Sequence, residues 1–182
     1  MPAPKRASLF DLNVEKVLEH WEVPEAVREV IANALDEQAL SRSAEPQIVK
    51  RRNVWHITDF GRGLRYQHLT QNENPEKHRR ADLVVGKFGV GLKDALATFH
   101  RRGIEVAVKS RHCDITLRRS AKTNFADVKT LHAVISPPSE PKRLGTDFAL
   151  AGLRDADMTR AKDYFLRFAG DEQLEETELG AV

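Results

Sequence analysis

The sequence predicts an α+β protein: a two-layer sandwich with a mixed, mostly antiparallel sheet and its helices on one face. Three observations carry this. A long stretch from Glu25 to about Ser41 places Val27, Val30, Ile31, Ala34 and Leu35 at helical spacing. Three alternating runs, Ile104–Lys109, Cys113–Arg118 and Val128–Ile135, follow one another as neighbouring antiparallel strands do. Between these groups, Gly86-Lys87-Phe88-Gly89-Val90-Gly91-Leu92-Lys93 runs straight into a helical pattern, Asp94 to Phe99.

Taken in order, residues 1 to about 8 read as disordered, and the folded domain spans 9–170. Leu9, Phe10, Val14, Val17, Leu18 and Trp21 suggest a first amphipathic helix over Leu9–Trp21. Pro24 suits the first turn of the second helix, where its missing N–H costs nothing. Strands over Gln47–Arg52 and Val54–Thr58 meet at Arg52-Asn53, a hairpin turn. The second ends in Asp59-Phe60-Gly61-Arg62-Gly63, and 22 residues then separate Gly63 from Gly86. Intervals of that length inside a domain are usually lids or insertions; Leu64–Leu69 suggests a short helix within it.

The helix that starts near Val90 ends at Gly103, a suitable C-cap. After the three strands, Pro137-Pro138 to Pro141 makes a loop and Gly145–Leu150 resumes the sheet. Asp155 or Asp157 can cap a last helix carrying Met158, Ala161, Tyr164, Phe165 and Phe168. Residues 171–182 form an acidic tail or the start of a further domain.

Composition bounds the function. With 182 residues, 41% hydrophobic and 31% charged, the chain is one domain of ordinary globular make-up. No apolar run approaches the ~18 residues of a membrane span, and the N-terminus lacks the apolar stretch of a secretory signal. The single cysteine, Cys113, allows no intrachain disulfide, which suits a reducing, cytoplasmic setting. A net charge of +2 demands no polyanionic partner. The paired arginines (51–52, 79–80, 101–102, 118–119) are scattered and read as solvated surface, with nucleic acid as the alternative.

Three features invite chemistry. Glu29, Asn33 and Asp36 are four and three residues apart, within about 60° of one another on one helix face. That ridge is either a solvated face or a set of hard ligands and a base. Asp59 stands at a strand end before Gly-x-Gly, either building the turn or reaching a pocket. The glycine run followed by a helix offers backbone N–H groups and a positive dipole end to an anion, so a phosphate-bearing ligand comes first to mind. Neither the Gly-x₄-Gly-Lys-Ser/Thr loop nor a Rossmann glycine pattern is present.

The order of these segments is more specific than any one of them. Glu29-Val-Ile-Ala-Asn33-Ala-Leu-Asp36, Asp59-Phe-Gly61-Arg-Gly63, Gly86-Lys-Phe-Gly89-Val-Gly91-Leu-Lys93 and Gly145-Thr146 together resemble the GHKL ATPase superfamily. That group comprises the gyrase B subunit, the large heat-shock chaperone of this fold, MutL, histidine kinases and MORC proteins; the Gly-Leu-Lys ending most resembles MORC-like members. The resemblance spans roughly residues 10 to 168 and implies the Bergerat fold, with ATP and Mg²⁺ as ligands.

Residue by residue, it implies that Asp59 accepts the exocyclic amine of adenine, with Thr146 sharing those hydrogen bonds. Gly61 and Gly63 let the chain pass close to base and ribose. Asn33 holds the metal through its amide oxygen, Glu29 is the general base for the attacking water, and Asp36 is a supporting carboxylate. Gly86, Gly89 and Gly91 present N–H groups to the phosphates. Phe88, Val90 and Leu92 belong to the same nucleotide-binding segment, Phe88 as a packing residue, and Lys93 adds a charge at the terminal phosphate or lies on the surface. Glu37 replaces the alanine usual after the aspartate. The presence of Glu29 favours slow ATP hydrolysis over phosphotransfer to histidine. An ATP-sensing module and a kinase of the same fold are the alternatives. Relatives of this kind dimerise when ATP closes the lid, so ATP/ADP and an ATP-dependent homodimer are the expected partners. A following domain is expected to complete the phosphate site.

Overall fold

The computed structural model describes residues 4–12, 20–70, 84, 91–122, 125–165, 167–168, 176–177 and 180–181. Among these, seven strands form one sheet in which every neighbouring pair is antiparallel. They are β1 (Ser8–Asp11), β2 (Gln47–Arg51), β3 (Val54–Thr58), β4 (Glu105–Ser110), β5 (Asp114–Lys122), β6 (Phe125–Ser136) and β7 (Thr146–Ala151). Their spatial order is β1-β6-β5-β4-β7-β3-β2. The helices are α1 (Val23–Ser41), α2 (Gln67–Thr70), α3 (Gly91–Arg101) and α4 (Asp155–Lys162). A separate pairing joins β8 (Glu176–Thr177) to β9 (Gly180–Ala181). No helix among the described residues is long and apolar enough to cross a membrane.

Local chemistry places most of these boundaries. Pro24 lies in the first turn of α1, and the Glu25 carboxylate accepts the N–H of Glu22 (3.1 Å), satisfying one donor the helix end leaves over. Arg42 ends α1 in the left-handed region. Arg52 and Asn53 both have positive φ (48° and 64°), the twist a two-residue hairpin needs between β2 and β3. Gly103, at φ 72°, closes α3 as its position suggests.

The core lies between the sheet and α1, α3 and α4. Ala26, Val27, Val30 and Ile31 of α1 and Ala95, Leu96 and Phe99 of α3 are sealed against Ile57, Val108, Ile115, Ala133 and Leu150 of the sheet.

Four expectations are corrected. Leu9–Asp11 is strand, not helix: Leu9 is 48% exposed, Phe10 packs on the core, and Ser8–Asp11 pairs antiparallel with β6 at the sheet edge. Adjacent apolar residues fit either period over so short a run; positions 13–19 of that expected helix lie outside the described residues. The last helix ends at Lys162, so Tyr164, Phe165 and Phe168 lie beyond it. Its N-cap residue is Arg154, because the Asp155 carboxylate instead accepts from Lys50 (2.5 Å) and Trp55 (3.1 Å), and Asp157 accepts from Arg154 (2.8 and 2.9 Å). The short helix in the long interval begins at Gln67, after a turn in which Leu69 N–H bonds Tyr66 O.

Candidate functional site

Asp59 follows the last residue of β3, and Thr146 opens β7, the strand beside it. The two strand ends are tied from both faces of the sheet. The Asp59 N–H donates to Thr146 O (2.9 Å) in the plane of the sheet, and on one face the Thr146 hydroxyl bonds the Asp59 carboxylate while accepting the Leu64 N–H (2.9 Å). Strand alternation turns Asp147 to the other face, where it accepts the Thr58 hydroxyl (2.7 Å) and meets His56 Nδ1 (3.0 Å). Asp59 is thereby fixed before any ligand is considered.

Backbone geometry closes the same place. Gly145 N–H bonds Gly61 O (3.0 Å), and Gly61 N–H bonds Asp59 Oδ1 (2.9 Å). Gly145 has φ 69°, and a Cβ there would lie 2.0 Å from Asp59 O. Gly63 has φ 85°, and its Cβ would lie 3.1 Å from Gly145 O. Both positions therefore require glycine.

Asp59 is 6% exposed. Burial pushes its carboxyl up to about 6; the Gly61 N–H and the Thr146 hydroxyl oppose the rise, and the nearby Glu37 charge adds to it. A carboxyl held this way suits a ligand that donates to it and brings no negative charge of its own to that atom.

The polar ridge of α1 divides. Asp36 is 1% exposed, so a solvated face does not describe it. Asn33 is half-buried, and its Nδ2 donates to Glu29 O (2.9 Å); Oδ1, the atom a cation would use, takes no part in that bond. Glu29 accepts from Arg28 Nη2 (2.6 Å) through Oε1. Its Oε2 faces the start of α3, where a Cβ on Gly91 would come within 2.2 Å. A side chain at 91 would push the Glu29 carboxylate aside, so the first turn of α3 lies directly against that carboxylate. Leu92 and Lys93 are both 8% exposed, which removes the surface reading of the lysine. Gly86, Phe88, Gly89 and Val90 lie outside the described residues.

Two residues given no role from the sequence, Arg28 and Asp94, and one noted there only as a departure from the resembled pattern, Glu37, belong to this neighbourhood. Arg28 is bracketed by the rings of Trp21 (5.7 Å) and Tyr164 (5.4 Å) while it grips Glu29. An arginine preceding the ridge's first acid was the available signal; the rings come from elsewhere in the chain. Asp94, in the first turn of α3, is 2% exposed, and its Oδ1 has no hydrogen-bond partner among the described residues. Burial raises its pKa; Arg101 opposes this and the Glu29 charge adds to it. Glu37 accepts the Arg62 backbone N–H (2.7 Å), Nε (2.9 Å) and Nη2 (3.0 Å), joining α1 to the Asp59–Gly63 turn. Its burial alone would raise its pKa, but those bonds and the guanidinium charge outweigh it and hold the carboxyl below its ordinary value.

Fold and site together define an α+β protein with a seven-stranded antiparallel sheet, a buried carboxylate at a strand end and a carboxylate–amide ridge meeting a helix start. No protein-family model matches the chain. It is 34% identical over 181 residues to an uncharacterized protein of Mycoplasma pneumoniae, covering 95% of this chain and 72% of that protein. The chain belongs to that protein's family.

Proposed function

We propose that this chain is a Bergerat-fold ATP-binding domain of the GHKL type, MORC-like in its glycine segment, which binds magnesium-ATP and hydrolyses it slowly. The observation that carries the reading is the bridge made by α1. Its Glu29 lies against Gly91 at the start of α3, and its Glu37 lies against the Asp59 turn. Eight residues of helix separate the two, about 12 Å. This supports the reading, because a nucleobase side and a phosphate side would then be set about two turns apart by one helix.

In this reading the ionised Asp59 accepts the adenine amine, and the Thr146 hydroxyl beside it fixes the carboxylate. Guanine would present an acceptor there and leave a buried polar group unpaired, at about 1–3 kcal/mol. Asn33 would hold magnesium through its amide oxygen, and the ion would supply charge neutralisation for the phosphates. The first turn of α3 offers N–H groups and its dipole to the phosphates, with the buried Lys93 adjacent. Glu29 polarises the attacking water as general base. Nucleotide-dependent association into a homodimer and a cytoplasmic setting complete the proposal.

A second reading, an ATP sensor without turnover, is favoured by one contact: Glu29 Oε1 is 2.6 Å from the Arg28 guanidinium, which occupies one oxygen of the carboxylate the hydrolytic reading needs for water. Calorimetric titration with ATP, ADP and GTP in the presence of magnesium tests the shared part. ATP and ADP should bind, GTP should bind at least about ten-fold more weakly, and Asp59→Asn should lose the preference. Failure of the wild-type chain to bind any adenine nucleotide would sink both readings. Glu29→Ala then separates them: loss of turnover with ATP affinity kept identifies the base, whereas a wild-type chain already without turnover identifies the sensor.

A further inference from the structure

Glu37 has no place in the ligand-binding roles above, yet its carboxylate accepts three hydrogen bonds from a single residue of the Asp59 turn. It stands one helical turn beyond Asn33, and its carboxylate takes three donors from Arg62, one of them backbone. Those bonds hold the peptide between Gly61 and Arg62 from one side. The preceding peptide, Phe60–Gly61, is held by Asp59, whose Oδ1 accepts the Gly61 N–H at 2.9 Å. Two consecutive N–H groups are thus directed in a fixed way, one at each carboxylate. Gly61 O is also engaged, accepting the Gly145 N–H.

Space makes the same point. A Cβ on Gly61 would lie 2.4 Å from Glu37 Cγ and Oε1, so the glutamate side chain occupies the volume a side chain at 61 would need. Gly61 carries no positive φ. A side chain at 61 would therefore have to displace Glu37, while the backbone of Gly61 itself does not call for glycine. The carboxylate is only partly exposed, at 22% for the side chain, so water competes weakly for it. Arg62 is 51% exposed and supplies a second, stem-length brace across the turn.

We propose that Glu37 is a positioning residue for Asp59: by clamping Arg62 it keeps the Asp59–Gly63 turn docked on α1 and the Gly61 N–H aimed at the Asp59 carboxylate. Glu37 itself touches no ligand. The groups it faces are Arg62, the Asp59 carboxylate and His68, so removing its charge also alters what Asp59 and His68 experience. The nucleotide part of the inference rests on the proposed ATP function; the positioning part does not.

Amide hydrogen exchange and calorimetry on the same variants separate the two. In Glu37→Ala the amides of Gly61 and Arg62 should lose protection while those of β4 and β7 keep it. Glu37→Gln, which retains an oxygen acceptor for the Arg62 N–H, should preserve most of the protection at both. Gly61→Ala should reproduce Glu37→Ala, because the new methyl displaces the carboxylate, and the double variant should be no worse than either single one. ATP affinity should fall about ten-fold in Glu37→Ala and in Gly61→Ala, with Glu37→Gln between them and wild type. Unchanged protection at Gly61 in both Glu37→Ala and Gly61→Ala overturns the proposal. So does a strictly additive double variant, which would mean that Glu37 and Gly61 act on the pocket independently. Altered exchange in a chain that binds no ATP even as wild type would leave the positioning role standing and remove the ATP function instead.

Discussion

Asp59 is the residue on which pH should act most directly. Its folded pKa of about 6 lies above its ordinary value of 3.8, so between those values the folded chain holds a proton that the unfolded chain has released. Stability contributed by the protonated form is present below about pH 4 and is lost as pH rises through 6, by an amount on the order of 3 kcal/mol. Asp59→Asn removes this dependence. Urea denaturation at pH 4 and pH 7.5 should show the variant gaining on the wild type at the higher pH, and an equal difference at both would contradict the buried carboxyl. Under the proposed function ATP affinity moves the other way. Adenine's amine needs the carboxylate, so binding should strengthen from pH 5 to 7 and then level off.

Glycines 63 and 145 are legible at the same scale for a different reason. Each sits at positive φ against neighbouring backbone, and Gly145 backs directly onto the Asp59 carbonyl. Gly-x-Gly and Gly-Thr were visible in the chain; that they face each other across the strand ends was not. Glycine announces a tight place without saying which part of the chain makes it tight.

At the scale of elements, α1 and α3 carry both the core and the site. α1 buries Val27, Val30 and Ile31 on the sheet side while presenting Glu29, Asn33 and Glu37 to the groups described above, so packing fixes the orientation of the polar residues. The apolar spacing of Glu25–Ser41 made this helix readable, because a stripe three and four residues apart admits no other regular structure over that length. In α3, Phe99 is fully buried. Phe99→Ala should destabilise the fold by about 3–5 kcal/mol in thermal or denaturant unfolding, and a loss below about 1 kcal/mol would mean that α3 is not part of the cooperative core. The edge strand β1 was misread for a related reason: four residues cannot establish a period, and pairing with β6 decides the matter.

For the whole molecule, the sheet order places β3 beside β7, which enters some ninety residues later, and so brings Asp59 to Thr146. The antiparallel β4-β5-β6 meander could be anticipated from consecutive alternating runs, since short connections leave neighbours little choice. Insertion of β7 between β4 and β3 could not. Dimerisation belongs to this scale as well. Sizing by light scattering, with and without a non-hydrolysable ATP analogue and magnesium, should show mass doubling only with nucleotide. A constant mass would remove the homodimer from the proposal while leaving ATP binding untouched.

What the sequence determined by itself is local: the period of α1, the hairpin at Arg52-Asn53, the glycines that permit close approach, and the candidate acids. Each follows from forces acting over a few residues, chiefly backbone sterics and amphipathic spacing. The tertiary structure alone decided that Asp36 and Lys93 are buried, that Arg28 grips Glu29 between two rings, and that Glu37 reaches Arg62. Those outcomes depend on which surfaces water is driven from when distant segments meet, and burial of a charged side chain is settled only by the partner it finds there.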